Sequence, residues 1–287
     1  MMNKRNLLLA LTLMFSASAA HALIKASGWV EPEGFVSPES VLEAWDGPDG
    51  RIYVSEIGEF GKDGDGKVRF IDTEGQVHPF ADGMDDPKGL AMAGENLYVA
   101  DKQGVLKITR DGKWTVFAAA GDFPAPLQFP NDLEADAKGN IYLSDTGDLK
   151  GQGGAIYRIS KTGKITRVKA DDTLISAPNG LLMDGNDGLL VVDFVSGILY
   201  RVQLSTGKTT KIAEGFGGGD GIARGKDGTL YVSDWKGGKV FSVSKKGTVK
   251  LIKDGLQSAA DITVDKSGWY VLVPDMKAGR VIYLPIK

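Results

Sequence analysis

The chain has 287 residues, with 34 Lys and Arg, 37 Asp and Glu, two His and no Cys, and its formal net charge is −3. The absence of cysteine excludes thiol catalysis, disulfides and cysteine-ligated zinc or iron sites. The charged residues are scattered and the net charge is mildly acidic, so the sequence lacks the basic patch that binds nucleic-acid phosphates. We therefore expect a domain that is stabilised by burial and that binds a small molecule or a cation, with no nucleic-acid partner.

Residues 1–22 have the pattern of a secretory signal peptide. Two basic residues precede an apolar run from Leu7 to Phe15, and small residues then lead to Ala22. The apolar run is about half of the ~20 residues that a membrane-spanning helix needs. We expect cleavage after Ala22, a mature chain of residues 23–287 without a membrane span, and a periplasmic or secreted location.

One short motif recurs six times along the mature chain: a glycine-containing turn, an apolar β-strand-like run and a closing acid. In the third copy it reads Gly-Asn-Ile-Tyr-Leu-Ser-Asp over residues 139–145. The closing acids lie 41 to 48 residues apart and are Glu56, Asp101, Asp145, Asp193, Asp234 and Asp275. Because the acid recurs in every copy, we expect it to hold turn backbone through hydrogen bonds rather than to bind a ligand.

Each copy also contains further short apolar runs, separated by Gly-rich turns, so that four strands fit within one unit. Four strands in a unit of this length are typical of a propeller blade. The sequence predicts an all-β fold, a six-bladed β-propeller with four antiparallel strands per blade. Since the last unit ends after its third strand-like run, residues 23–30 are expected to supply its missing strand and close the ring.

Aligning the six copies on the turn glycine identifies one position at the start of each innermost strand, where side chains converge on the propeller axis. An apolar residue two places later keeps the strand alternation equivalent in all six copies. The aligned residues are Glu39, Lys88, Asn131, Asn179, Asp220 and Ala260. In the first copy Glu43 remains an alternative to Glu39, because the Glu39 alignment requires an insertion in the following turn.

Four of these residues carry oxygen donors, and they predict a metal site made of Glu39, Asn131, Asn179 and Asp220. Buried carboxylates repel one another and lose solvation, and a hard cation removes both costs. Ca²⁺ takes six to eight oxygen ligands, although another hard divalent cation also fits, whereas zinc prefers His or Cys. Taken singly, each Asn or Asp before Gly is explained by turn formation, and the shared register favours the metal site.

Two further polar residues, Lys88 and His78, are basic side chains of the mature chain with a bearing on the site. Lys88 either binds a carboxylate or phosphate of a substrate or is a solvated loop lysine, and the sequence leaves both open. His78 is the only histidine of the mature chain and lies between two strand-like runs, so we expect it on the surface of an outer strand.

The aligned motifs resemble the SMP-30/gluconolactonase family and its wider group of six-bladed calcium-dependent propellers, which includes paraoxonases, diisopropylfluorophosphatase and strictosidine synthase-like proteins. The resemblance covers the mature chain. It is carried by Pro38-Glu39-Ser40-Val41, Phe129-Pro130-Asn131-Asp132, Ala177-Pro178-Asn179-Gly180-Leu181 and Gly219-Asp220-Gly221-Ile222. It implies a catalytic divalent cation held by a Glu, Asn, Asn, Asp set, and a role for Asp220 as general base or nucleophile.

The resemblance implies a Ca²⁺-dependent hydrolase of lactones or other esters, in which the cation polarises the substrate carbonyl. The alternative is a non-catalytic, calcium-stabilised propeller that binds a ligand or a protein in the periplasm, since fold does not fix function. A lyase-type propeller is disfavoured by the shortage of histidine. A small-molecule substrate and a monomeric state are expected.

Overall fold

The computed structural model describes residues 31–45 and 51–287. Within these residues it contains 23 strands in six antiparallel sheets and two single-turn 3₁₀ helices, Ala120–Asp122 and Met276–Ala278. No helix in this part of the chain is long and apolar enough to cross a membrane. The predicted six-bladed β-propeller is confirmed, with four strands in five blades and three in the sixth.

Blade 1 comprises β1 (Pro38–Ala44), β2 (Arg51–Glu56), β3 (Gly66–Ile71) and β4 (Val77–Met84). Blade 2 comprises β5 (Leu90–Ala93), β6 (Asn96–Asp101), β7 (Gly104–Ile108) and β8 (Trp114–Ala119). Blade 3 comprises β9 (Pro130–Ala135), β10 (Ile141–Asp145), β11 (Ala155–Ile159) and β12 (Ile165–Arg167).

Blade 4 comprises β13 (Pro178–Met183), β14 (Gly188–Asp193), β15 (Ile198–Gln203) and β16 (Thr209–Glu214). Blade 5 comprises β17 (Gly219–Arg224), β18 (Leu230–Asp234), β19 (Lys239–Val243) and β20 (Val249–Lys253). Blade 6 comprises β21 (Thr263–Val264), β22 (Tyr270–Asp275) and β23 (Arg280–Pro285). The first strand of each blade contacts the first strand of the next, and β21 contacts β1, so the ring is closed.

The strand expected to complete blade 6, residues 23–30, lies outside the described residues. The segment that follows it runs beside β23. Phe35 donates its backbone N–H to Gly279 O at 3.0 Å, and Val281 donates to Pro32 O at 3.0 Å. Glu33 also forms an antiparallel bridge with Arg280. Residues 32–35 therefore occupy the place where the fourth strand of blade 6 is expected.

The apolar core is divided among the interfaces between adjacent blades, and each of the six interfaces has its own buried cluster. The strand β14 shows how one segment serves two interfaces. Leu189 and Val191 pack toward blade 3, whereas Leu190 and Val192 pack toward blade 5. Because alternate side chains point to opposite faces, a strand buried on both faces reads as a continuous apolar run. This packing leaves the axis of the ring available for polar side chains.

Candidate metal and substrate site

Each predicted ligand lies in a break of the pairing between the first two strands of its blade. In blade 3 the register of β9 shifts between Pro130 and Leu133, so that Asn131 and Asp132 stand outside the regular ladder. The same irregularity encloses Glu39 in β1, Asn179 in β13 and Asp220 in β17. A bulge bends its strand and redirects a side chain, and here it occurs where the chain reaches the axis.

Serine hydroxyls satisfy the backbone N–H groups that three of these bulges leave without a ladder partner. Each serine immediately precedes the closing acid of its blade. The hydrogen bonds run from Ser40 N to Ser55 Oγ at 2.9 Å, Asp132 N to Ser144 Oγ at 2.9 Å, and Gly221 N to Ser233 Oγ at 2.7 Å. Sequence analysis did not identify these positioning serines, although a serine directly precedes the closing acid in copies one, three and five of the repeat.

The aligned residues meet in one cavity of about 450 Å³ at the axis of the ring. Five of the six line it, all buried with 2% to 4% of their surface exposed: Glu39, Lys88, Asn131, Asn179 and Asp220. The sixth, Ala260, is fully buried, packs with Ile57 and Met276, and offers no polar side-chain atom. Glu39 and its alternative Glu43 lie in different surroundings. Glu39 lines the cavity, whereas the Glu43 carboxylate accepts the backbone N–H of Lys266 at 2.7 Å.

Four oxygen atoms of this cavity are buried and have no hydrogen-bond partner among the described residues. They are Glu39 Oε2, Asn131 Oδ1, Asn179 Oδ1 and Asp220 Oδ1. An unsatisfied buried polar group costs about 1–3 kcal/mol, and more when it is charged. One oxygen from each of four blades, with two carboxylates to balance a double positive charge, is a donor set that fits a hard divalent cation.

The Asn131 amide is oriented by a hydrogen-bond relay. Its Nδ2 donates to Thr146 Oγ1 at 3.0 Å, and Thr146 Oγ1 donates to Pro178 O at 2.9 Å. Because the hydroxyl proton is used by Pro178, Thr146 can only accept from Asn131, which leaves Asn131 Oδ1 as the free acceptor of that amide. Such outer partners commonly fix the orientation of metal ligands.

Glycine follows the aligned residue at two places where neighbouring blades approach closely. A Cβ atom at Gly180 would lie 2.1 Å from Asp220 O, and one at Gly221 would lie 2.4 Å from Ile262 N. Both contacts are to backbone and cannot relax through side-chain movement. Glycine at these positions therefore lets the inner strands of blades 4, 5 and 6 pack around the axis.

The two carboxylates of the cavity have raised pKa values. Burial is the main cause for both, because it disfavours the charged form. The pKa of Glu39 lies well above its usual value through burial and the nearby charges of Asp220 and Asp261, with Lys88 opposing the shift. The pKa of Asp220 is raised by burial, then by Asp261 and Asp234. A divalent cation would favour the ionised form of both groups.

Lys88 is an enclosed part of the cavity, so its interpretation as a solvated loop lysine is wrong. Its backbone N–H donates to Ala100 O at 2.8 Å, and its Nζ donates to Asp86 O at 3.0 Å. The Nζ also lies 4.6 Å from the centre of the Phe129 ring. Burial lowers the pKa of Lys88, and the charge of Glu39 is the largest opposing influence.

Apart from the exposed Lys236, the rest of the cavity is apolar. Its wall consists of Ile57, Phe60, Phe129, Leu149, Phe194, Trp235 and Met276. Four of these directly follow a closing acid: Ile57, Phe194, Trp235 and Met276. The apolar residue directly after the closing acid therefore marks the cavity wall in these four copies of the repeat, and sequence analysis did not use it. The loops that begin at Ile57 and Thr146 contribute Phe60 and Leu149 to the wall.

A second cavity of about 200 Å³ lies farther along the inner strands and includes Asp132, Glu134 and Asp261. These carboxyls have partners in neighbouring blades. Asp132 accepts Leu181 N at 2.6 Å, Glu134 accepts Met183 N at 2.9 Å, and Asp261 accepts Ser40 Oγ at 2.5 Å. Burial is the main cause that raises the pKa of both Glu134 and Asp261 to about 7. Their hydrogen bonds tie one blade to the next.

The closing acids form a different ring, as expected from their recurrence. All six are buried, and each accepts backbone N–H groups from the loops around its strand. Asp193 is the most fully bonded, accepting N–H groups of Ser176 and Ala177 on one oxygen and Val195 and Ser196 on the other, at 2.7–3.1 Å. The predicted structural role of these acids is confirmed.

His78 also lies where the sequence placed it. It belongs to the outer strand β4, with its side chain 43% exposed. Its Nε2 lies 2.6 Å from Asp72 Oδ2, and its ring stacks on Phe70. The axial cavity is not lined by it.

The fold and the cavity define a six-bladed propeller with an oxygen-lined axial site. Residues 90–254 match the family described as SMP-30/Gluconolactonase/LRE-like region. Since the match covers more than half of the chain, the protein belongs to this family, as the sequence motifs indicated. The match spans blades 2 to 5 and includes Asn131, Asn179 and Asp220, whereas Glu39 and Lys88 precede it.

Individual proteins show the same relationship at lower similarity. The protein strictosidine synthase-like 3 of Arabidopsis thaliana is 28% identical over an alignment 168 residues long, and the match covers 51% of this chain and 42% of that protein. The chain thus matches less than half the length of this curated relative. A gluconolactonase from Xanthomonas campestris shares the fold with a TM-score of 0.70 and 18% identity, over 89% of this chain and 88% of the other.

A third similar protein is a regucalcin from Agrobacterium tumefaciens, described as a calcium-binding protein. It superposes with a TM-score of 0.71 and 19% identity, over 87% of this chain and 90% of the other. At this identity the two structural similarities concern the fold.

Proposed function

We propose that the protein is a divalent-cation-dependent hydrolase of lactones or related esters, with Ca²⁺ as the cation. The observation that carries the proposal is the group of four unpartnered, buried oxygens from four blades in one cavity. Membership of a family that includes gluconolactonases supports the reaction class. Part of the proposal is that the protein acts in the periplasm or outside the cell, which the pattern of residues 1–22 supports.

In this proposal Glu39, Asn131, Asn179 and Asp220 hold the cation. When bound, the cation supplies Lewis acidity that polarises a substrate carbonyl. The Asp220 carboxylate accepts the proton of the attacking water as a general base. The relay through Thr146 keeps the Asn131 oxygen directed to the cavity.

The apolar wall of the cavity has two functions in the reaction. It buries the hydrocarbon part of a small substrate, and it excludes bulk water from the reacting carbonyl. Removing water strengthens the electrostatic interactions inside the cavity. A volume of about 450 Å³ is within the range of small-molecule sites.

A hydrolysis panel of sugar lactones, γ- and δ-lactones and aryl esters tests the proposal. Turnover should require Ca²⁺, stop with a calcium chelator and return when Ca²⁺ is added in excess. Ca²⁺ should also raise the melting temperature, because it binds the native state only. A calcium-dependent rise in melting temperature without turnover of any substrate would favour the non-catalytic binding module. Turnover that is insensitive to chelator would overturn the proposed metal dependence.

A further inference from the structure

Two lysines line the axial cavity in the part of the chain that the structure describes, and their environments differ. Lys88 is buried, with 3% of its surface exposed, whereas Lys236 is exposed and its Nζ lies over the Phe194 ring at 4.2 Å. Water solvates Lys236, but the ammonium of Lys88 depends on the protein and on whatever enters the cavity. A cation in this position affects which substrates the cavity accepts.

Local structure fixes the position of Lys88. Its backbone N–H donates to Ala100 O, and the next residue, Gly89, donates to Asn131 O at 2.9 Å. The hydrogen bond from Gly89 holds this segment against β9, the inner strand that carries Asn131. Its Nζ uses one of three donors on Asp86 O. Two donors remain for a ligand.

The charges inside the cavity point to the nature of that ligand. Glu39 and Asp220 together balance one divalent cation, so the positive charge of Lys88 is left over among the lining side chains. The nearby carboxylates of Asp86 and Asp101 lie outside the lining, and both accept backbone N–H groups, Asp86 from Gly61 and Asp101 from Asp85 and Gln103. A buried charge is costly unless it is paired, and an anion in the cavity would pair it.

We propose that Lys88 binds a carboxylate of the substrate, so that the protein prefers lactones or esters with an anionic substituent near the scissile carbonyl. This inference rests on the proposed hydrolase function and specifies its substrate class. The remaining part of the substrate lies against the apolar wall, which offers Phe129 next to the ammonium.

Matched substrates test this directly. The Ca²⁺-loaded protein is assayed with butyrolactone γ-carboxylate and with the neutral carboxamide of the same lactone. Since a charge-assisted hydrogen bond contributes about 1.5–3 kcal/mol, kcat/KM for the carboxylate should fall by about 10- to 100-fold in Lys88→Met. The carboxamide should change by less than about threefold. Lys88→Arg should restore part of the preference, because it keeps the positive charge.

Two other variants serve as comparisons. Lys138→Met removes an exposed lysine in the β9–β10 turn, at the opposite end of the blade, and should leave both substrates unaffected. Lys236→Met should reduce the preference less than Lys88→Met, because solvent already screens that charge. The inference is overturned if Lys88→Met slows both substrates equally, which would indicate stabilisation of the reacting oxygen. It is also overturned if Lys236 carries the preference.

A binding measurement separates this inference from the proposed activity. Calorimetry with cyclopentanecarboxylate and cyclopentanecarboxamide needs no turnover, and a Ca²⁺ titration of each variant checks that the metal site is intact. Wild-type protein should bind the carboxylate about tenfold or more tightly than the amide, and Lys88→Met should lose this difference. Absence of turnover together with selective carboxylate binding would contradict the hydrolase proposal alone. Equal binding of the two compounds would contradict the role of Lys88.

Discussion

Two rings of buried acidic and amide side chains lie at the same end of this propeller, and they differ in how their oxygens are used. The closing acids accept backbone N–H groups in every blade, with Asp193 accepting four. The axial set, in contrast, leaves one oxygen without a partner in Glu39, Asn131, Asn179 and Asp220. Burial is equal in the two rings, so burial alone does not identify a functional residue. The unsatisfied oxygens distinguish the axial set from the closing acids.

Asp220→Asn tests the axial ring with the largest expected effect. We expect hydrolysis to fall by at least about a thousandfold, because the variant loses both a charged metal ligand and the base. Stability of the metal-free protein should be retained or increased, since a buried charge is removed. Steady-state kinetics and urea denaturation measure the two quantities. Asp227→Asn, in an exposed turn of the same blade, is the control. Activity close to wild type in Asp220→Asn would remove the catalytic assignment.

Asp193→Ala tests the ring of closing acids. Four backbone N–H groups lose their acceptor, and we expect a loss of roughly 3–5 kcal/mol in the free energy of unfolding. Asp193→Asn keeps one acceptor oxygen and should lose less. Urea denaturation measures the free energy of unfolding, which reports on the closing acids. The Ca²⁺ affinity of the folded variant reports on the axial set. An unchanged free energy of unfolding in Asp193→Ala would show that the hydrogen bonds do not separate structural from functional acids.

Thr146→Val tests the relay that joins the two rings, since Thr146 follows a closing acid and holds an axial amide. The variant keeps the shape of the side chain but cannot accept from Asn131. We expect Ca²⁺ affinity to fall about tenfold, in the range found for outer partners of metal ligands. Calorimetric titration measures it, with Thr162→Val in an exposed turn of the same blade as control. Equal affinities in the two variants would argue against an oriented Asn131.

The pH dependence of stability tests the acids of the second cavity. Asp261 and Glu134 have folded-state pKa values of about 7, above the usual values of about 4 in an unfolded chain. Between these values the folded protein keeps protons that the unfolded chain releases, so stability decreases as pH rises from about 4 to 7. Melting temperatures of the metal-free protein across this range should fall, and Asp261→Asn should make the decline shallower. A rise in melting temperature over the same range would contradict these shifts.

Much of this arrangement was readable from the repeat. Each blade places equivalent positions in equivalent environments, so one alignment located Glu39, Lys88, Asn131, Asn179 and Asp220 in a common cavity. The structural role of the closing acids followed from the same logic. Glu39 was the weakest of these predictions, because an irregular turn made the spacing ambiguous, and the cavity lining distinguishes it from Glu43.

Other features depend on how the ring brings blades together, which spacing along the chain does not reveal. The relay from Asn131 through Thr146 to Pro178 joins two blades. The close approach at Gly180 involves the backbone of the following blade. The enclosure of Lys88 likewise depends on the surrounding blades, so sequence analysis left its role open.

The closure of the ring has a consequence for the order of events in folding. Ser40 Oγ donates to Asp261, and Asp261 N donates to Glu39 O at 2.9 Å, across more than two hundred residues of chain. Such distant contacts form slowly, because a long loop must be closed before they contribute. The contact between blades 1 and 6 also fixes Glu39 at the axis, because its carbonyl accepts the Asp261 N–H. A chain that stops short of this step therefore has an incomplete site, and cation binding would report the last stage of assembly.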